Sequence, residues 1–267
     1  MFRISEVVKH LLIINVLVFI ADQIIHLDFF ALHYPTSPKF QPFQVVTHFF
    51  MHGNLRHLIF NMFALVMFGR MLEDMWGPKK FLLFYLFCAL GGAFLHTCAH
   101  FYEIQALQSA VSAYQANPTH GNYFNFFNSY EDLKGILTSY GQEQYREIAL
   151  NLKENVPQAK EASIAFINSL ANGYYEGIAN IPMVGASGAI FGLLLAFGLL
   201  FPETEFFPIP LKAKYFVPLL MIYELAMGIN PSGGDNVAHF AHLGGALFGI
   251  LILFYWKKTQ FDNNRWN

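Results

Sequence analysis

Several runs of predominantly apolar residues reach or approach the length of a bilayer crossing, and they restrict the fold of this chain more than any other feature. In the first, residues 11–25, only Asn15, Asp22 and Gln23 interrupt the apolar sequence. Backbone polar groups inside hydrocarbon have no water to bond, so such runs must satisfy themselves internally, as helices do. The charge content agrees: 13% of the residues are charged, against roughly 25% in ordinary soluble domains. The expected fold class is all-α, a polytopic membrane protein whose surroundings are a lipid bilayer. A net charge of −2 is too small to suggest a nucleic-acid partner. Cys88 and Cys98 fall in one predicted helix and form no disulfide framework. No small-residue cleavage site follows the first run, which reads as a retained helix and not as a signal peptide.

Six spans are expected, at about 8–25, 55–69, 81–98, 187–201, 215–227 and 237–256. Residues 1–267 then form a single membrane domain, interrupted after the third span by a polar insertion, residues 101–180. Pro118, Gly121, Gly141, Pro157 and Gly173 punctuate the insertion, which lacks strand alternation and reads as amphipathic helix over about 129–170. Its cluster Tyr123-Phe124-Asn125-Phe126-Phe127 suits either the membrane interface or a contact onto the helical bundle.

Lysine and arginine set the expected orientation. Arg3, Lys9, Arg70, Lys79, Lys80, Lys212, Lys214, Lys257, Lys258 and Arg265 fall on one side. Lys39, Arg56 and the insertion's Lys134, Arg146, Lys153 and Lys160 fall on the other, with eight acids of the insertion, Asp132 among them. Both termini are expected in the cytoplasm, the insertion outside, and the cell (inner) membrane of a bacterium as the location.

Within this frame, Gly185-Ala186-Ser187-Gly188 opens the fourth span with a serine. A serine there can simply ease helix packing, and Gly188 and Gly192 do form a small-residue seam. The esterase pattern Gly-x-Ser-x-Gly fails at Ala189. Yet the first turn of a helix turns free N–H groups and the positive end of the dipole toward any oxyanion formed beside it. His242, in Ala241-His242-Leu243-Gly244-Gly245, supplies a base if Gly245 and Gly249 face Gly188 and Gly192 closely. His239 is the competing base and lies nearer the outer surface. His57 and Asn61, four apart on one helix face, are candidate oxyanion donors, while His52 reads as structural. Ser187 to Phe201 spans ~22 Å, His242 to Trp256 ~21 Å and His57 to Arg70 ~20 Å. Measured from these ends the three residues share one depth, and ionisable groups at membrane depth mark function.

His52-x4-His57-x3-Asn61, Gly185-Ala186-Ser187-Gly188 and Ala241-His242-Leu243-Gly244-Gly245, in this order, resemble the rhomboid family of intramembrane serine proteases. The resemblance implies a six-helix bundle and a Ser187–His242 dyad with no third acid and no cofactor. It also implies an oxyanion site of Asn61, His57 and the Ser187 backbone, with transmembrane proteins as substrates, cut near the outer face. An aromatic that packs on the dyad histidine in some members falls at Phe191. The Trp-Arg pair that many members carry in the first loop is absent between His26 and Phe43, so that loop needs another anchor. The insertion lies outside the minimal family pattern. A catalytically silent member, binding or escorting membrane clients, would have lost the serine or the histidine, and both are present. Zinc-protease chemistry has no His-Glu-x-x-His here, and His239 and His242 show no evident third ligand. Glu224, inside the fifth span, should face the bundle interior; no role follows for it.

Overall fold

The computed structural model describes residues 4–135, 137–206, 209–230 and 237–259, without the side chains of 132, 134, 206, 209 and 259. Arg3 and Arg265, and the side chains of Asp132 and Lys134, therefore lie outside the described residues. The chain packs as two compact units, His100–Ile181 and the remainder.

The larger unit begins with α1 (Glu6–Ile25). A short loop then holds α2 (Gln44–Thr47), followed by α3 (Leu55–Ala64), a π-helical turn at Leu65–Gly69, and α4 (Arg70–Trp76). The second span thus runs seven residues beyond its expected end at 69, as one helix over Leu55–Trp76. Gly77, with φ +79°, terminates it. Glu73, inside α4, is buried where its charge has partners. Its carboxylate accepts from Ser5 Oγ (2.7 Å), Val7 N (2.8 Å) and Val8 N (2.9 Å), capping the start of α1. Those are N–H groups that the helix leaves unused.

α5 (Pro78–Ala116) also outruns its expected end near 98, since no Pro or Gly follows until Asn117-Pro118. Its first part belongs to the larger unit and its last part to the smaller one. After the smaller unit come α10 (Ser187–Leu200), α11 (Ala213–Ile229) and α12 (His239–Thr259), once α6 to α9 have been counted there. Among the described residues, four helices are long and apolar enough to cross a membrane: α1, Leu55–Trp76, α5 and α12. α10 is apolar but shorter, with 14 residues.

α10 is the centre of the bundle. Eleven of its residues are buried, as expected of a helix that is hydrophobic all round. By contrast α1 turns Ile13, Ile14, Leu17, Ile20 and Ile24 outward, an apolar surface suited to lipid. Around α10 the core gathers Leu58, Met62, Leu65, Phe84, Tyr85, Cys88, Leu193 and Leu253. Trp76, Phe84 and Trp256 cluster at one end of this unit, with ring centroids 4.9–6.0 Å apart and Lys80 Nζ 5.9 Å above Trp256. The end of α4, the start of α5 and the end of α12 therefore share one level, and α5 runs opposite to the other two. Measured to that level, His57 stands ~28 Å away and His242 ~21 Å. The equal lengths expected from the sequence are therefore not found.

Between α10 and α11, β1 (Glu205–Phe206) and β2 (Ile209–Lys212) form a two-stranded ribbon. Hydrogen bonds from Lys212 and Lys214 hold the Glu203 carboxyl down to about 2 beside it.

The smaller unit contains the end of α5 with α6 (His120–Ser129), α7 (Glu131–Gly135), α8 (Ser139–Lys153) and α9 (Ala159–Asn180). Beyond the end of α5, helices lie between 120 and 180, wider than the expected 129–170. Thr119 and Thr138 cap α6 and α8 through their hydroxyls, an N-cap signal in the sequence. The aromatic cluster has neither of its expected places. Tyr123, Phe126 and Phe127 are buried in this unit's own core with Tyr114, Tyr145, Ile148 and Phe166. Tyr123 stacks on Tyr145 at 5.4 Å, and burial pushes its phenol pKa up.

Candidate active site

Loop residues come first, because they fix where the serine begins. Leu32 and Met183 exchange two backbone hydrogen bonds (3.0 and 2.8 Å), and Gly185 N donates to His48 O at 3.0 Å. The first loop's missing anchor is Gln44, fully buried. Its Oε1 accepts from His33 N and Gln41 N, and its Nε2 donates to Phe29 O and Lys39 O. One amide thus satisfies four backbone groups that would otherwise need water.

Gly185 has φ +117°, where an L side chain is strained. A Cβ there would lie 2.6 Å from His57 Cε1, 2.7 Å from its Nε2 and 3.7 Å from Asn61 Nδ2. The missing side chain therefore lets His57 and Asn61 of α3 close on the backbone two residues before Ser187. Asn54 caps α3, its Oδ1 accepting from His57 N at 2.9 Å. His52 is buried with its ring edge-on to His57 at 5.1 Å, so it packs against that side chain. Asn61 Nδ2 is buried and makes no hydrogen bond among the described residues.

Ser187 is the first residue of α10 and is buried. Phe191, one turn further along the same helix, stacks on His242 with ring centroids 4.0 Å apart and planes 6° from parallel. The imidazole thus lies along the face of α10 that carries Ser187. Glycines permit this approach. A Cβ on Gly245 would collide with Gly188 O, one on Gly249 would lie 3.4 Å from Gly192 Cα, and one on Gly92 would lie 3.2 Å from Gly188 Cα. The two seams expected on α10 and α12 do face each other, and α5 adds a third.

Behind His242 stands a group to which the sequence assigned no role. Glu224 of α11 is buried, and its Oε2 lies 2.8 Å from His242 Nδ1 and 2.7 Å from His239 Nδ1. The expectation that His239 and His242 lack a third ligand-type group is corrected, since Glu224, His239 and His242 offer atoms within 4.8 Å of one another. An arrangement with no acid beside the histidine is likewise not what this chain has. The one signal in the sequence was an acid deep inside an apolar span.

The chain matches the Rhomboid domain over residues 39–109 and 161–259, which include Asn61, Ser187, Glu224 and His242. Most of the smaller unit falls between the matched stretches. Among characterised sequences it is similar to an uncharacterized mitochondrial rhomboid protein of Schizosaccharomyces pombe, 36% identical over 87 residues, 29% of this chain and 22% of that protein. It is also similar to Rhomboid protein 1, mitochondrial, of Saccharomyces cerevisiae, 34% identical over 103 residues, covering 36% and 29%. Rhomboid-like protease 3 of Toxoplasma gondii is 35% identical over 65 residues, covering 24% and 25%. The matches span between a fifth and a third of these relatives' lengths. With both halves of its larger unit matched, this multi-pass membrane protein belongs to the rhomboid family.

Proposed function

We propose that the chain is an intramembrane serine endopeptidase that cuts transmembrane protein substrates near the outer face of the membrane, with Ser187 as nucleophile and His242 as base. The hydroxyl of Ser187 attacks a substrate carbonyl as its proton passes to His242. The developing oxyanion meets the Asn61 amide, His57 and the free N–H groups at the start of α10. His242 then protonates the leaving amine, and water releases the acyl group by the reverse proton path.

The single observation that carries this reading is Asn61 Nδ2, a buried donor beside Gly185 with nothing to donate to. Leaving such a donor unpaired costs about 1–3 kcal/mol. A protein that only escorts clients gains nothing from that cost, whereas an oxyanion at this place relieves it.

The proposed arrangement in the membrane has six spans, with α10 and α11 joining the four longer helices. Residues 1–267 are proposed as one rhomboid-like membrane domain with residues 101–180 inserted on the extracytoplasmic side and both termini on the side rich in Lys and Arg. The compartment stays general, because two relatives are named mitochondrial and lend no support to a bacterial inner membrane.

A fluorophosphonate probe applied to the detergent-solubilised protein tests the activity. Ser187 should label and Ser187→Ala should not. Equal labelling of the two proteins would sink the proposal.

A further inference from the structure

We propose that Glu224 is the residue that positions His242, so that this chain works with a Ser187–His242–Glu224 relay of orientation and not with an isolated pair. The inference rests on the serine-protease reading above. It starts from a juxtaposition across three helices: Phe191 of α10 against one face of the His242 ring, and Glu224 of α11 on its Nδ1.

An ionised carboxylate only accepts hydrogen bonds. With Oε2 at 2.8 Å, His242 must therefore carry its proton on Nδ1. Its Nε2 is then left with a lone pair, the form needed to accept the proton of Ser187 Oγ. During attack the Oγ–C bond forms and the Oγ proton moves to Nε2. The Nδ1 proton stays where it is, and Glu224 remains ionised and faces the imidazolium. When the C–N bond breaks, the Nε2 proton leaves with the amine. Glu224 never takes a proton and touches no substrate.

His239 completes the arrangement from the other side, donating its own Nδ1–H to the same oxygen at 2.7 Å. A carboxylate placed inside an apolar helix, with Leu219, Leu220, Met221 and Leu225 around it in sequence, is costly unless donors converge on it. Two imidazoles from the first turn of α12 meet that need. The distances also argue against a metal centre. Two ligands on zinc at ~2.0–2.1 Å would stand about 3.3 Å apart in a tetrahedron, while 2.7 and 2.8 Å are hydrogen-bond separations.

The test measures how fast a fluorophosphonate labels Ser187 in the purified full-length protein, over a range of probe concentrations. In Glu224→Gln the amide can donate to Nδ1 and hold the wrong tautomer. The limiting rate should fall by up to about 10⁴-fold, the loss seen when such an acid becomes an amide. The half-saturating probe concentration should stay within about twofold. Glu224→Asp keeps the charge and should recover most of the loss. A purely structural role would lower the fraction of protein that labels and leave its rate constant alone, which would overturn the inference. So would labelling that is lost to EDTA and restored by zinc. Wild-type protein that never labels defeats the protease reading itself, whereas equal rates in wild type and Glu224→Gln defeat only this one. If Glu224→Gln does not fold, nitrogen NMR of ¹⁵N-histidine in the wild-type protein decides instead. Neutral His242, assigned from the signal lost in His242→Ala, should be protonated on Nδ1, and the opposite tautomer would refute the role of Glu224.

Discussion

Asn61 combines one helix position with one unmet hydrogen bond, and its replacement separates binding from chemistry. Asn61→Ala removes a donor while the first-turn N–H groups of α10 and His57 remain. The turnover rate should fall about 10²–10³-fold, or ~2.7–4 kcal/mol. Substrate affinity should hardly change, because the donor acts on charge present only in the transition state. Initial rates at several substrate concentrations check this, and a raised KM at constant kcat would reassign Asn61 to substrate binding. At this scale much of the site was legible from chemistry-bearing residues at recurring spacings: His57 and Asn61 one turn apart, Ser187 opening a helix, His242 before paired glycines. Phe191 came from the family resemblance alone, and its ring does stack on His242. Glu224 was not legible. An acid inside an apolar run announces itself, but the partner of its carboxylate depends on how α11 rotates against α12. Nothing local to either helix encodes that rotation. His239 suffered likewise: its place near the rim suggested a spare base, while its ring serves the carboxylate.

Among the elements, α1 depends on one buried acid of α4. Glu73 accepts three hydrogen bonds from Ser5, Val7 and Val8, which hold α1 against α4. Glu73→Ala leaves the buried Val8 N–H and the part-buried Val7 N–H without this acceptor and should cost about 2–3 kcal/mol. Thermal unfolding in detergent should show a lower midpoint, with Ser187 labelling intact well below it. An unchanged midpoint would mean that lipid-facing apolar contacts alone seat the helix. Element boundaries moved for a separate reason. The expected spans end at 69 and 98, but helix continues until Gly or Pro stops it, at Gly77 and before Pro118. The aromatic cluster of α6 misled differently. Its amphipathic pattern reports a buried face without naming what buries it, and α8 and α9 of the same unit do so.

For the molecule as a whole, the question is what the smaller unit and the membrane each contribute. The core of His100–Ile181 is drawn from its own residues, and none of Asn61, Ser187, Glu224 or His242 lies in it. Replacing residues 100–181 by a Gly/Ser linker should preserve labelling of Ser187 and change which proteins are cut. Loss of labelling in a folded deletion protein would make the unit part of the catalytic core. Orientation calls for a separate experiment, since Arg3 and Arg265 lie outside the described residues and the asymmetry of the other basic residues must carry it. Cys98 is exposed and Cys88 buried, so a Cys98→Ser background removes the reactive native thiol. In that background, Glu143→Cys on α8 and Lys258→Cys in the last turn of α12 place one exposed thiol at each proposed face. An odd number of crossings separates α8 from the end of α12 if α10, α11 and α12 all span. An impermeant maleimide added to sealed vesicles should then label one position and reach the other only after permeabilisation. If α10 or α11 alone failed to cross, both thiols would react from the same side. That outcome would reduce the six-span reading to an even number of crossings after the insertion and move the termini to opposite sides of the membrane.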